Sequence, residues 1–528
     1  MPLTLPATLR TPPSWLVFPH HQRAIRISLG LFTLGSMLLL ALVDLHGTNV
    51  FGNSFSYPDA IDYTSVARNL AAHANLNTYN GQPLVEFPPG LPIMLGALLK
   101  VGLSLKVAVA LINALALGVT IAAVFALFYI VFATPWLALA VSATLAWNTN
   151  EIHLYLAPLS EPVFIAAVSV LLAVLAASIK SQRFTRSATA VAVVCVWVAC
   201  SWRYTGVTLL PVLGFGYYWA TKSEGRRAVL RAGVVTLTGA LAIIVIAVRN
   251  LAVGSGPFGP TLHSSTSLSS SLLQTSRLLG GLVTSGPFSF PLAKSGMGTN
   301  PYLGVIGVCF VVLMVLGVLR AIRNKNGLVL CAALFVAGYW SMIIYAQVTN
   351  TAFDMNYRLI AETVPAMALL SFYAIMPPAI WQGQHRLRLI GLLVVPLLLA
   401  NAASSTYLTA TNYNFPTVPA VTPMERALSH LPANAGVATP YPQLLYWMTG
   451  REPILNIPLA QFYCPPGCSR AQMKVLVHDI SDGTVTYALF STNQTPIEEA
   501  ILKAQHVTFT TDVITKGYSL YRVQIQSK

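Results

Sequence analysis

The sequence predicts a polytopic α-helical membrane protein of about eleven spans with a small C-terminal α/β domain. Three observations predict it. Of 528 residues, 55% are hydrophobic and only 9% charged, where a soluble domain carries roughly 25% charged residues. Apolar segments near twenty residues recur from Ala24 to about Tyr407, each long enough to cross a hydrocarbon core of ~30 Å. Short basic blocks separate them, and the last 120 or so residues hold no candidate span.

Residues 1–23 form an N-terminal tail that carries Arg10 and Arg23, and Arg26 follows at the start of the first apolar segment. The run around Ile25–Val43 lacks a small-x-small cleavage site at Leu-Ala-Leu-Val-Asp, so it reads as an uncleaved first span. The other basic blocks are Lys180/Arg183/Arg186, Lys222/Arg226/Arg227/Arg231, Arg320/Arg323/Lys325 and Arg386/Arg388. With the N-terminal three they hold 15 of the 31 Lys and Arg. The positive-inside bias places all five in the cytoplasm, with the N-terminus inside and the C-terminal part outside. A net charge of +15 distributed this way is a topology signal, not a nucleic-acid footprint.

On that topology eight carboxylates fall at outer span ends: Asp44, Asp59, Asp62, Glu86, Glu151, Glu161, Asp354 and Glu362. Glu224 alone is on the basic side. Acids at a membrane edge are costly to desolvate, so their clustering marks a functional site. Residues 24–407 form the membrane domain, and its first outer loop, 44–106, is long for such a connection. Pro58 opens a helical pattern there and Asn80-Gly81 makes a turn. Pro88–Val101 is too short to span, so it reads as a surface or re-entrant helix with prolines near its start.

Asp59, Asp62, Tyr63 and Val66 share one face of the first-loop helix. Carboxylates three residues apart repel, which raises the pKa of one and suits it to general-base work. First-turn acids also favour the helix dipole, the plainer explanation. Glu161, in Ser160-Glu161-Pro162, starts an apolar run, where Ser160 fits an N-cap and Pro162 an N1 residue. Trp147, Glu151, His153 and Tyr155 make the preceding span end polar and aromatic, as in carbohydrate sites and in ordinary interfacial belts. Arg203, Arg249 and Arg358 lie at outer span ends against the positive-inside bias. Each asks for a partner, either one of these acids or a phosphate.

The stretch 250–300 is rich in Gly, Ser, Thr and Pro, and Ser-Ser-Thr-Ser-Leu-Ser-Ser-Ser reads as flexible, a linker or a lid. Residues 408–528 alternate helical and strand-like stretches. Glu425–Leu431 and Pro496–Gln505 read as helices, and Thr484–Phe490 and Val507–Ile525 as strands with a turn at Lys516-Gly517. Cys464 and Cys468 close a tight loop that an oxidising compartment would lock as a disulfide. The other four cysteines lie in spans, and no further ligands at zinc spacing accompany the pair.

In order along the chain stand Asp59-Ala-Ile-Asp62-Tyr63, Phe87-Pro-Pro-Gly-Leu-Pro92, Ser160-Glu161-Pro162, Arg203-Tyr-Thr-Gly206, Arg249-Asn250 and Tyr357-Arg358-Leu359 with Pro365. Leu431-Pro-Ala-Asn-Ala-Gly-Val-Ala and Thr449-Gly450-Arg451 follow. This set resembles the GT-C glycosyltransferases, the multi-span class that includes protein O-mannosyltransferases and lipid A aminoarabinose transferases. The resemblance implies transfer of a sugar, with inversion, from a polyprenyl-phosphate donor to a protein, lipid or glycan acceptor at the outer face of the inner (plasma) membrane. It implies a first-loop acid as base, Asp59 or Asp62, with Glu161 in the catalytic group. It implies donor phosphate on Arg203, Arg358, Arg249 and Lys294, and acceptor or sugar contacts from Tyr63, Glu151 and His153. No cofactor or metal is required, although an acid-rich pocket can hold a divalent ion. A transporter or flippase of lipid-linked glycans is the alternative, but it leaves the helical first loop and the C-terminal domain unexplained. A membrane sensor would need a cytoplasmic output module, which the sequence does not offer.

Overall fold

The computed structural model describes residues 20–46, 58–79, 81–146, 148, 152, 154–259, 267–283, 301–349 and 357–376, with 426–428, 430–432, 435–439, 455–456, 477–491, 506–514 and 518–525 near the end of the chain. The chain opens with α1 (His20–His46), then enters the long loop through α2 (Pro58–His73) and α3 (Gly90–Lys100). Helices α4 (Leu105–Phe132), α5 (Pro135–Ala146), α6 (Glu161–Ser181) and α7 (Arg186–Trp202) follow, then a 3₁₀ turn at Tyr204–Thr208. The helical part closes with α8 (Leu209–Thr221), α9 (Arg226–Ala252), α10 (Leu268–Val283), α11 (Pro301–Arg323), α12 (Gly327–Thr349), α13 (Tyr357–Ala361) and α14 (Val364–Ile375).

Among the described residues five helices are long and apolar enough to cross a membrane: α4, α6, α9, α11 from Gly304, and α12. Shorter apolar helices join them at Ile27–Leu42, α3, α5, α7 and α14. As the loop pattern predicts, α3 is only 11 residues, about 16 Å at 1.5 Å per residue, too short to span. The caps follow the sequence. Ser104 and Thr185 accept from the backbone N–H of Val107 and Ala188, opening α4 and α7. The main core joins α4, α6, α7, α8, α12 and α14 around Phe128, Phe164, Phe335 and Tyr339. Leu237 and Val245 on α9 and Val305 and Val312 on α11 are exposed, an apolar periphery that only lipid can cover without penalty.

The Ser-rich stretch differs from its expected flexibility, because Ser267–Ser271 begins α10. The Ser267 hydroxyl caps Ser270 N–H at 3.2 Å, and Ser271, Thr275 and Leu279 form a buried face at i, i+4, i+8. Composition there signalled a linker, but spacing makes the face.

The first loop is fastened twice. Within it, Asn77 bridges Pro83, and Leu84 N–H donates to the Leu76 carbonyl at 2.9 Å around a turn with Gly81 at φ +76°. Across to the bundle, Tyr204 donates to the Val85 carbonyl at 2.8 Å and Arg249 to that of Leu84.

Near the end of the chain β1 (Val437–Thr439), β2 (Leu455–Asn456), β3 (Tyr487–Ser491), β4 (Val507–Ile514) and β5 (Tyr518–Ile525) form one sheet in the order β2-β1-β3-β5-β4. β1 runs parallel to both its neighbours, and β3/β5 and β4/β5 are antiparallel. Alternate residues supply both faces: Ala438, Ala488 and Tyr521 on one, Val437, Tyr487 and Leu520 on the other. The expected hairpin is β4–β5. The Cys464/Cys468 loop and the Pro496–Gln505 helix lie outside the described residues.

Gly206 is required where the 3₁₀ turn folds back under the end of α7. An added Cβ would sit 2.5 Å from the Cys200 nitrogen and 2.6 Å from the Ala199 carbonyl carbon. Gly206→Ala is therefore expected to destabilise the protein by about 1–3 kcal/mol through overpacking. A lowered thermal midpoint in detergent checks this; an unchanged midpoint would mean that the turn yields freely.

Candidate active site

Five charged side chains from four distant stretches meet at one end of the bundle. Glu161 is the first residue of α6 and fully buried. Its Oε1 is ion-paired with Arg203 Nη1 at 2.9 Å and Arg358 Nη2 at 2.7 Å, and accepts from Arg358 Nε at 2.9 Å. Arg358 Nη2 reaches Asp59 Oδ2 at 2.9 Å. Arg203 Nε lies 2.6 Å from Glu362 Oε1, a charge contact without hydrogen-bond alignment. Tyr339, from the middle of α12, donates to Glu362 Oε2 at 2.6 Å. The result is a chain of alternating sign: Asp59, Arg358, Glu161, Arg203, Glu362.

Local structure explains each placement. Asp59 is in the first turn of α2, where a carboxylate suits the helix dipole. Arg203 is the C-cap of α7 in extended conformation, which turns its side chain out of the helix path. Arg358 and Glu362 stand four residues apart at α13, on one face. Ser160 precedes α6 as expected, but its hydroxyl caps no backbone N–H. It accepts from Tyr63 at 3.2 Å and Arg203 at 3.1 Å, and donates to Glu161 Oε2 at 3.4 Å.

Three carboxylates against two guanidiniums leave the network formally one charge negative. Asp59 is its accessible end, with 29% of its side chain exposed. Asp62, 7% exposed, has no cation partner among the described residues. Burial, reinforced by the carboxylates of Glu86 and Asp59, holds its carboxyl well above the usual carboxylate range. Tyr63 is buried, its ring against Phe87 at 5.0 Å and its hydroxyl on Ser160.

Of the sequence candidates, Asp59, Glu161, Arg203 and Arg358 come together, with Asp62 and Tyr63 beside them on α2. Arg249 stands apart in the loop clamp: beyond Leu84 it donates to Asn250 Oδ1 at 3.1 Å, and Asn250 donates to the Tyr204 hydroxyl at 2.7 Å. Glu151, His153, Lys294 and Asp354 lie outside the described residues. Glu362 is among the acids at predicted outer span ends without a predicted site role, although its i, i+4 spacing from Arg358 is a usable signal. Tyr339 looks in the sequence like any mid-span aromatic. A grouping of metal-type ligands, His478, Asp479 and Asp482, lies in the C-terminal part, not here.

Among solved structures, the chain is similar to ArnT from Cupriavidus metallidurans bound to undecaprenyl phosphate: 13% identity, 93% of this chain and 98% of that one covered, TM-score 0.54. It is also similar to the oligosaccharyltransferase AglB from Archaeoglobus fulgidus, in complex with an inhibitory peptide and a dolichol-phosphate, at 12% identity, covering 93% and 74%, TM-score 0.54. A mutant of the arabinofuranosyltransferase AftD from Mycobacteria matches at 12% identity and TM-score 0.50, with 95% of this chain lying on 42% of that one. At these identities the likeness concerns the fold. No protein-family model and no curated protein matches the chain.

The unpaired Asp62 yields a stability prediction. Its folded pKa lies above the unfolded value of ~3.9. Stability linked to it is therefore present below that value and is lost as pH rises through the folded pKa. Asp62→Asn is expected to raise the thermal midpoint relative to the unaltered protein at pH 7.5, with the gap closing towards pH 4. A gap independent of pH would show that folding does not raise the Asp62 pKa.

Proposed function

Given that the chain has the fold of the GT-C glycosyltransferases, we propose that it is a membrane enzyme that moves a sugar from a polyprenyl-phosphate donor to a hydroxyl-bearing acceptor, with inversion. On this reading the site faces the outer side of the inner membrane, the N-terminus is cytoplasmic and residues 408–528 form an extracytoplasmic domain. The acceptor is a protein, a lipid or a growing glycan. The observation that carries the reading is the Asp59–Arg358 pair, 2.9 Å long and placed at the accessible end of a buried ionic chain.

The chemistry asks for one base and one anion binder. Asp59 takes the proton of the acceptor hydroxyl as that oxygen attacks the anomeric carbon. The bond from that carbon to the phosphate oxygen breaks, and the phosphate leaves with the electron pair. Arg358 and Arg203 stabilise the charge that develops there, and Lys294 and Arg249 are further candidates for the same task. In the free protein both arginines are held by acids. An arriving phosphate competes with Asp59 for Arg358, and the exchange frees the carboxylate to act as base where the donor is bound. Glu161 keeps both guanidiniums aimed at one place throughout. Asp62, whose raised pKa also suits a general base, is the less accessible candidate, buried beside the more exposed Asp59. The scheme requires neither metal nor cofactor.

Asp59→Asn is expected to lower transfer by about 10²–10⁴-fold, the usual worth of a general base, with binding of undecaprenyl phosphate nearly intact. Mass spectrometry of membrane glycoconjugates from cells with each variant reads the transfer, and full activity would exclude the role. Arg358→Ala is expected to weaken undecaprenyl phosphate binding by roughly 10–100-fold, the value of charged hydrogen bonds. Unchanged affinity would leave Arg358 a purely structural partner of Glu161.

A further inference from the structure

The basic end of the bundle holds a cleft of about 1170 Å³ between the ends of α4, α6 and α8 and the turn from α11 to α12. Five cations line it, Lys180, Lys222, Arg320, Arg323 and Lys325, and among the described residues no carboxylate does. Glu224, nearby in sequence, is committed to Arg231 at 2.6 Å.

Helix ends account for two of the five. Lys180 donates to the Ile130 carbonyl at 3.1 Å, and Arg320 to those of Tyr373 and Ala374 at 3.4 and 3.0 Å, the usual task of cations at helix C-termini. The other three have no such duty. Lys222 lies over the Trp219 ring at 4.4 Å, and Arg323 and Lys325 are exposed without an acid among the described residues. Lys325 also occupies the left-handed region at φ +50°, where glycine or asparagine is the ordinary choice.

Val131, Ile179, Leu319 and Leu328 line the same cleft as the cations. The volume exceeds the ~300–1000 Å³ of sites for drug-sized molecules. A free phosphate would leave the apolar lining unused. A lining that combines cations with hydrocarbon is complementary to an anionic head joined to an acyl chain, the pairing of lipid-headgroup pockets between membrane helices. We propose that this cleft binds the phosphate headgroup of an anionic phospholipid, at the opposite membrane face from the Asp59–Glu362 network.

The test uses the full chain in nanodiscs of phosphatidylcholine and phosphatidylglycerol, moved to detergent and read by native mass spectrometry. The expected result is a single phosphatidylglycerol retained by the unaltered protein. Retention should fall at least about tenfold in the triple variant Lys222→Gln, Arg323→Gln, Lys325→Gln, given the attraction per basic residue at an anionic surface. Retention should be unchanged in Arg226→Gln, Arg227→Gln, which removes charge from the start of α9, outside the cleft. The single variant Arg323→Gln should show a smaller loss in the same direction, which serves if the triple variant misfolds. Equal loss in the control, or no retention by the unaltered protein, would overturn the proposal in favour of generic surface charge. Displacement of the lipid by millimolar inorganic phosphate would overturn it in favour of a free anion.

Discussion

The buried carboxylate of Glu161, shared by two arginines, is the constraint on which the rest of the site depends. Taking a charge out of water costs several kcal/mol per ion, and only close pairing offsets it. At a membrane edge water cannot be drawn in freely, so the partners must be protein. Arg203 and Arg358 answer that demand from the end of α7 and from α13. Arg358 then donates to a second acid, Asp59, while Arg203 lies in charge contact with Glu362. One set of ionic contacts thus joins α2, α6, α7 and α13, beside the apolar cluster of Ala60, Ile165 and Ala361. Apolar packing at the bundle's rim tolerates sliding, since lipid and side chain are nearly equivalent there.

A second set of contacts fixes the loop that carries Asp59. Asn250, fully buried, ties the Tyr204 hydroxyl and the Pro257 carbonyl together at 2.7 and 3.1 Å. Tyr204 and Arg249 hold the carbonyls of Val85 and Leu84. Arg203 and Tyr204 are adjacent, so one backbone turn addresses both the ionic chain and the loop. Gly206 lets that turn lie against α7. An acid on a long loop would otherwise wander; here the turn that tethers the loop also carries Arg203, which shares Glu161 with Arg358, the counter-ion of Asp59.

Much of this was legible in the sequence where physics acts locally. Pro58 and Asp59 marked the start of α2, Ser160-Glu161-Pro162 the start of α6, and the β4–β5 hairpin followed from alternation around Lys516-Gly517. Arginines placed against the positive-inside bias announced that each had a partner. Which acid each would take was not legible, because Glu161 and Arg358 are 197 residues apart and nothing in either segment encodes the other. The hydroxyl of Ser160 was misjudged for the same reason: a serine at an N-cap position normally serves its own helix, and tertiary partners overrode that preference. Helix α10 was hidden by serine-rich composition, while its buried face was written in the spacing of Ser271, Thr275 and Leu279.

The charge asymmetry that organises the chain is mounted on one rigid element. Helix α6 begins at Glu161 and carries Lys180 one residue before its end. Nineteen residues at 1.5 Å each separate them by about 29 Å, close to the thickness of a hydrocarbon core of ~30 Å. The acid network and Lys180, bonded to the Ile130 carbonyl, therefore lie at opposite ends of a helix long enough to cross such a core. Sliding α6 along its axis by a single turn would pull Glu161 from both arginines and Lys180 from α4 together. The helix is anchored by polar contacts at its two ends and greased by apolar contacts between them. Its register, and with it the position of Glu161, is fixed across the whole depth of the bundle.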